Sequence, residues 1–471
     1  MKTTYKIILS FIFLIAAVSC DDYLDVNENK NQLVEVPSGI LLLKGTLLAN
    51  AQVQQGQLSR VSMYYTGGLI GLQLVQQTQY NYDYTPGDSD AVWGHVYNGI
   101  LVQNKEIREI SPNLDMLQGI ININEALAIG TATSLFGDVP YSTATPDNPS
   151  LSSPDPTFDS QGDLYTSLQT LLDNGISIIE NSTTSVGDED IYNNGNKIKW
   201  IQAANTLKAR YYLQTKQYNQ ALNFVGLGVN SASNTTSYHP IGEVTGNSNI
   251  LSNFVNSSRS GDMTGDGAFY RDLIDPDLSS SRNNGKTDET ARRNYSYVSG
   301  DGSQTGGIDD ATTPMKLVSY EENLLIWAEC LLRSTDNQGA IDKLNELRSY
   351  LNSGGGFNLI NDTDTYKYEA YELADFEAGG MENMDNIATD RAILREIIEE
   401  RYVTGFTTYM AFNDARRLKK SDSDVIVPFP LNNSTTTVNP QRLLYPQDEI
   451  DGNSNIQNPI PGLFSPTPIN Q

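Results

Sequence analysis

Between Trp200 and Leu227 the chain reads as a helix, a short turn and a second helix. Trp200, Ala203 and Ala209, then Tyr218, Ala221 and Val225, give an aromatic-then-alanine spacing that approximates a tetratricopeptide unit. Thr215-Lys216-Gln217 is the turn between them. A lone pair of this kind leaves one apolar face unburied, so it must stack on others. Apolar residues recur at helical period in further stretches. Trp93–Ile110 pairs with Met116–Phe136, Val318–Leu332 with Gln338–Leu351, and Arg391–Tyr402 with Thr407–Lys420. Leu164–Ile179 is predicted helix, and Ile40–Leu58 shows the same spacing. The pattern predicts an all-α body of four TPR-like helix pairs, near 93–136, 164–229, 318–351 and 391–420.

Other stretches lack that period. Gly137-Asp138-Val139-Pro140 stops a helix, and residues 142–159 are a Pro/Ser/Asp-rich loop. Residues 231–313 are rich in Ser, Asn, Gly and Asp and interrupt the pairs as a loop-rich insertion. Residues 64–90 end in Tyr80-Asn81-Tyr82-Asp83-Tyr84-Thr85-Pro86-Gly87, which predicts an extended loop. The tail from Val425 is rich in Pro and Asn and is predicted to wrap the surface.

The chain opens with Lys2 and Lys6, then an apolar run from Ile7 to Val18. That run is shorter than the about 20 residues a spanning helix needs, and suits a signal-peptide core. It ends in Ala16-Ala17-Val18-Ser19-Cys20, as at a bacterial lipoprotein cleavage site. Cys20 is then the acylated N-terminus, each buried CH₂ of its chains contributing about 0.8 kcal/mol to anchorage. The expected organisation is a signal peptide over 1–19, a lipidated tether over 20–38 and a single domain over 39–471. Cys330 sits among apolar residues and is expected to be a buried thiol.

Charge and composition remove several function classes. With 57 Asp+Glu against 31 Lys+Arg, the formal charge is −26, the wrong sign for a general nucleic-acid binder. Two His and two Cys exclude His- or Cys-rich metal sites and a disulfide framework. No nucleophile elbow, zinc-protease motif or phosphate loop occurs, and His95 and His239 sit in no motif. No carboxylate pair stands out as a glycosidase site. Asp262-x-Thr264-x-Asp266-Gly267 resembles the start of a calcium loop, but Leu273 occupies the twelfth position. A structural calcium ion is a secondary reading there, and otherwise no cofactor is expected. Arg416-Arg417-Leu418-Lys419-Lys420 reads as cations at a helix C-terminus, with contact to an acidic partner as the rival.

A site that binds sugars without altering them needs flat rings for C–H faces and polar side chains for hydroxyls. The chain has 26 Tyr, and two clusters combine both kinds. In the first, an extended Tyr80, Tyr82 and Tyr84 would share one face, with Asn81 and Asp83 on the other. The second is Arg292, Arg293, Asn294, Tyr295 and Tyr297 in the insertion. The candidate glycan contacts are Tyr80, Asn81, Tyr82, Asp83, Tyr84, Arg292, Tyr295 and Tyr297. A surface glycoside hydrolase and a peptide-binding lid are the alternative readings.

Two blocks are specific: Phe136-Gly137-Asp138-Val139-Pro140-Tyr141, and Lys199-Trp200 followed by Ala204-Asn205-x-Leu207-Lys208-Ala209-Arg210. Cys20-Asp21-Asp22-Tyr23-Leu24, Trp93-x3-Tyr97, Asp275-Pro276-Asp277-Leu278, Tyr320-x-Glu322, and Arg442-Leu443-Leu444-Tyr445-Pro446-x2-Glu449 support them. With these blocks the chain resembles the SusD/RagB family of nutrient-binding outer-membrane lipoproteins of Bacteroidetes. The resemblance implies a helix-pair scaffold with an irregular, ligand-binding half. It implies a non-catalytic protein, lipid-anchored at the cell surface, that hands oligosaccharides to a SusC-like TonB-dependent transporter. It also implies that Trp93, Phe136, Trp200 and Arg210 are scaffold residues.

Overall fold

The computed structural model describes residues 38–145, 155–242, 247–257 and 259–471. The signal peptide, Cys20 and the tether up to residue 37 lie outside the described residues. No described helix is long and apolar enough to cross a membrane.

Helices carry the architecture: α1 (Ile40–Gln55), α2 (Gln57–Tyr65), α3 (Leu74–Tyr80), α4 (Asp115–Phe136), α5 (Gln161–Asn181), α6 (Lys197–Gln214), α7 (Tyr218–Val225), α8 (Tyr320–Arg333), α9 (Asn337–Asn352), α10 (Thr389–Thr404) and α11 (Met410–Arg417). A further helical run spans 90–110, with a π-helical stretch at His95–Leu101. The period-3.6 stretches thus fold as expected, although α11 stops at Arg417, short of Lys420. Polar caps set several starts: Ser160, Asn196, Ser319 and Asp336 accept backbone N–H bonds at α5, α6, α8 and α9. Lys216 takes a φ of 59° in the predicted turn between α6 and α7.

Successive helices pack in one continuous series: α4 on α5, α5 on α6, α6 on α7, α7 on α8, and α8 on both α9 and α10. α4 lies at the centre, buried on nearly every side. Gly119 of α4 and Gly175 of α5 permit a close crossing, since a Cβ on Gly119 would stand 2.4 Å from Ile179 Cγ1. The described strands form four short antiparallel ladders, each of two strands.

The two specific sequence blocks are joints of this scaffold. Gly137 leaves α4 at a φ of 91°. Asp138 Oδ1 then accepts from the first amide of α5, and its carbonyl accepts from Tyr445 Oη. Trp93 Nε1 donates to Glu449 Oε2 at 3.1 Å, so the tail is tied to the helical run over 90–110. Trp200 Nε1 donates to Asp190 Oδ2 at 2.7 Å. Arg210 forms a two-pronged ion pair with Glu322 and also reaches Leu317 O, linking α6 to α8.

The insertion is irregular but not structureless. It contributes short helices at Ile250–Val255, Phe269–Leu273 and Thr290–Tyr295, and its apolar residues join the main core. The tail wraps the scaffold as expected, Leu443 N donating to Leu135 O. The stretch 64–90 departs from the expected extended loop, because residues 74–80 are helix.

Candidate functional site

The first Tyr cluster does not form a shelf of three rings. Tyr80 ends α3, and Tyr82 takes a left-handed φ of 69°, which breaks the strand-like alternation. Tyr82 and Tyr84 are consequently buried. The Tyr82 hydroxyl donates to Asn439 Oδ1 and accepts from Asn432 N, while its ring meets Tyr65 and Phe464 edge-on. Tyr84 donates to Ser89 Oγ at 2.9 Å, and Ser89 passes its own proton to Leu444 O. Burial pushes the Tyr84 phenol far above its ordinary pKa. Both rings therefore fasten the tail to the body. Tyr80 and Asn81 are half-buried and Asp83 is exposed.

The second cluster also divides. Arg292 is buried, its Nε 3.2 Å from Glu289 and its Nη1 2.9 Å from Glu400. Tyr295 turns inward against Phe357. Tyr297 remains partly open, with the Arg271 guanidinium 4.8 Å from its ring centroid and its hydroxyl donating to Asp266 Oδ2 at 3.0 Å.

Sequence spacing gave no sign of the ladder that joins the stretch before α3 to the insertion. Ile70–Gly71 pairs antiparallel with Met263–Thr264. Leu72 N donates to Asp262 O, Gly265 N to Val298 O, and Gly261 N to Gly300 O. Segments 70–73, 261–265 and 298–300 are thereby joined side by side, with Tyr80 packed under Gly71 at one end and Tyr297 at the other. Leu72, Gln73, Leu74 and Val75 project from this surface exposed. Exposed leucines are invisible to periodicity, which reads them as core.

Other expectations resolve as follows. Asp262 of the calcium-like loop pairs with Arg259 at 2.7 Å, and Thr264 is in the ladder. Among the described residues no cluster of three or more His, Cys, Asp or Glu is placed to hold a metal ion. Burial lowers the pKa of both His95 and His239, keeping them neutral at pH 7. In the basic run, Arg416 and Arg417 are buried while Lys419 and Lys420 face solvent. Cys330 is buried, and burial raises its thiol pKa.

A cavity of about 150 Å³ opens between α2 and the insertion. It is bounded by the end of α1, by α2, by the ends of α6 and α10, and by the insertion. Arg292 lines it from a dense ion cluster, in which Arg282 contacts Glu289, Glu396, Glu399 and Glu400. Two guanidiniums here face four carboxylates. Burial, with the surplus carboxylates, raises the pKa of Glu396 well above the usual range. A raised folded pKa lets stability fall as pH climbs through the interval between the unfolded and folded values. Glu396→Gln should therefore gain about 1 kcal/mol at pH 7 and nothing near pH 4, measured by urea unfolding at both.

The comparisons with known proteins fit this architecture. The chain matches, over residues 30–446, the family described as starch-binding associating with outer membrane. No curated protein matches the sequence. Among solved structures, a SusD/RagB family protein from Bacteroides thetaiotaomicron superposes with a TM-score of 0.68 at 18% identity, covering 93% of this chain and 99% of that one. A chitin-binding protein gives 0.64 at 21% identity, over 89% and 95% of the two chains. A chitin-binding SusD homolog from Flavobacterium johnsoniae gives 0.61 at 16%, over 88% and 93%. The match along most of its length makes this chain a member of the SusD-like family of outer-membrane-associated proteins.

Proposed function

We propose that the protein is a cell-surface lipoprotein that captures oligosaccharides and passes them to a SusC-like TonB-dependent transporter, without cleaving them. Cys20 would carry the lipid that moors it to the outer membrane. The observation that carries the reading is the surface built on the ladder 70–71/263–264. That surface carries a partly open ring, Tyr297, beside the 298–300 segment, and exposed apolar and amide side chains at residues 72–75. A ring held from behind by Arg271 keeps a fixed orientation, so little entropy is lost when a sugar face settles on it. Asn81, Asp83 and Gln73 supply hydrogen-bonding groups for hydroxyls. Tyr80, Asn81, Asp83 and Tyr297 are the contacts proposed. Tyr82, Tyr84, Arg292 and Tyr295 support them from within.

Family membership and the chitin-binding neighbours support a neutral polysaccharide as ligand. Affinity electrophoresis of the mature protein through gels containing starch or soluble chitin derivatives tests this. Retardation by at least one, with no release of reducing ends, is expected; cleavage would instead make the protein a hydrolase. Tyr297→Ala should weaken retention about tenfold or more, the loss of one stacked ring, while leaving thermal unfolding within a degree or two. Retention unchanged in that variant would move the site elsewhere.

A further inference from the structure

The cavity between α2 and the insertion holds an unneutralised cation. Arg60, on α2, lines it. Its Nε is fully buried and has no hydrogen-bond partner, and no carboxylate among the described residues pairs with the side chain. The guanidinium rests only on the Phe254 ring, 4.5 Å from the centroid. The nearby cation Arg259 is already held by Asp262. Burial correspondingly lowers the Arg60 pKa. Two more buried donors on the same cavity, Arg292 Nη2 and Arg401 Nη1, lack acceptors, although Glu289, Glu400 and Asp414 neutralise those two side chains. Two acceptors on the cavity are also unused: Ser296 Oγ and Glu321 Oε2, whose sister oxygen takes the Lys316 ammonium. An unpaired guanidinium edge and an unpaired carboxylate oxygen thus line one cavity, a donor and an acceptor for a ligand to satisfy.

We propose that this cavity binds a small hydroxy acid, with its carboxylate on Arg60 and its hydroxyl donating to Glu321. The charge count selects a monoanion, because among the described residues lining the cavity only Arg60 lacks a counter-charge. The planar fork of a guanidinium matches a carboxylate in two parallel bonds. Tyr270 and Phe406 give the remaining wall an apolar character suited to a carbon body rather than a bare inorganic ion. None of the cavity's lining residues is among the four proposed sugar contacts, and the inference does not rest on the glycan reading.

Mandelate and D-glucuronate are the probes, with mandelamide, D-glucose and sodium chloride as controls, titrated calorimetrically into the mature protein. At least one of the two acids is expected to bind at one equivalent while the neutral analogues and chloride do not. Arg60→Gln should reduce that affinity at least tenfold, and Arg60→Lys less. Binding of neither acid, equal binding of mandelamide, or undiminished binding in Arg60→Gln overturns the proposal. Should Arg60→Gln fail to fold by circular dichroism, the acid–amide comparison on the parent protein decides. Polysaccharide retention, read separately, distinguishes this site from the outer one.

Discussion

Glu329→Gln should unfold about 3–5 kcal/mol more readily than the parent protein at pH 7, the largest loss expected of any conservative change in the scaffold. Glu329 is fully buried on α8 and takes two bonds from Arg417 of α11, at 2.7 and 2.5 Å. Arg333 approaches it at 3.3 Å. Arg417 in turn bonds Asp414, which Arg401 holds from α10. Glu329 and Asp414, through Arg417 and Arg401, thus fasten three helices. Replacing Glu329 by an amide leaves the Arg417 guanidinium short of charge where water cannot reach, and that unpaired ion carries most of the cost. Chemical denaturation with far-UV detection measures the loss. A change under 1 kcal/mol would mean that Asp414 alone neutralises Arg417.

The same pair sets a pH limit. Burial acts to raise the pKa values of Glu329 and Asp414, but the surrounding guanidiniums prevail and hold both below the usual carboxylate range. A depressed folded value means the stabilisation is complete above the unfolded pKa and is lost as pH falls through the folded one. The parent protein should therefore weaken below about pH 4.5, and Glu329→Gln should weaken less steeply there. Glu396 pulls the other way, because its folded value is raised. The protein therefore carries two buried ion clusters of opposite pH sign, one rich in guanidiniums and one with surplus carboxylates.

Neither cluster could be read from spacing. Arg416-Arg417-Leu418-Lys419-Lys420 has the look of a solvated helix end, yet only the lysines face water. The acids that neutralise Arg417 lie 88 and 3 positions away. The helices, by contrast, were legible because amphipathic period is a local property: Trp200, Ala203 and Ala209 mark the buried side of α6 whatever packs on it. The joint at Phe136–Tyr141 was legible as a motif, but its purpose required Tyr445 and α5 to be in place. The Tyr cluster misled for the same physical reason. Tyr-x-Tyr-x-Tyr alternation predicts one exposed face only if the backbone stays extended, and the positive φ at Tyr82 ends that. The cover over Tyr82 comes from Asn432, Asn439 and Phe464, more than 340 residues along the chain. Ladder 70–71/263–264 is likewise a long-range pairing between stretches with no strand signature of their own.

Tyr84→Ala tests that revised placement, and its expected cost of about 3–5 kcal/mol comes close to that at Glu329. A solvent-facing sugar platform would tolerate the change, losing ligand and keeping stability. Tyr84 is instead buried within the main core, and its hydroxyl opens the chain that runs through Ser89 to the Leu444 carbonyl. Truncation empties a ring-sized volume and strips Ser89 of one partner, two penalties that add because the ring and the hydroxyl contact different groups. The tail from 439 to 449 should loosen first, since Leu444 receives that chain and Trp93 loses its hold on Glu449 once the segment shifts. Hydrogen exchange should then show lost protection at Arg442 and Leu443, whose amides bond Leu463 O and Leu135 O, before the helices α6 to α9 are affected, while Tyr297→Ala leaves both segments protected. If Tyr84→Ala kept full stability and weakened polysaccharide retention instead, the ring would belong to the ligand surface after all, and the tail would be held by its other ties, among them Trp93 to Glu449 and Tyr445 to Asp138.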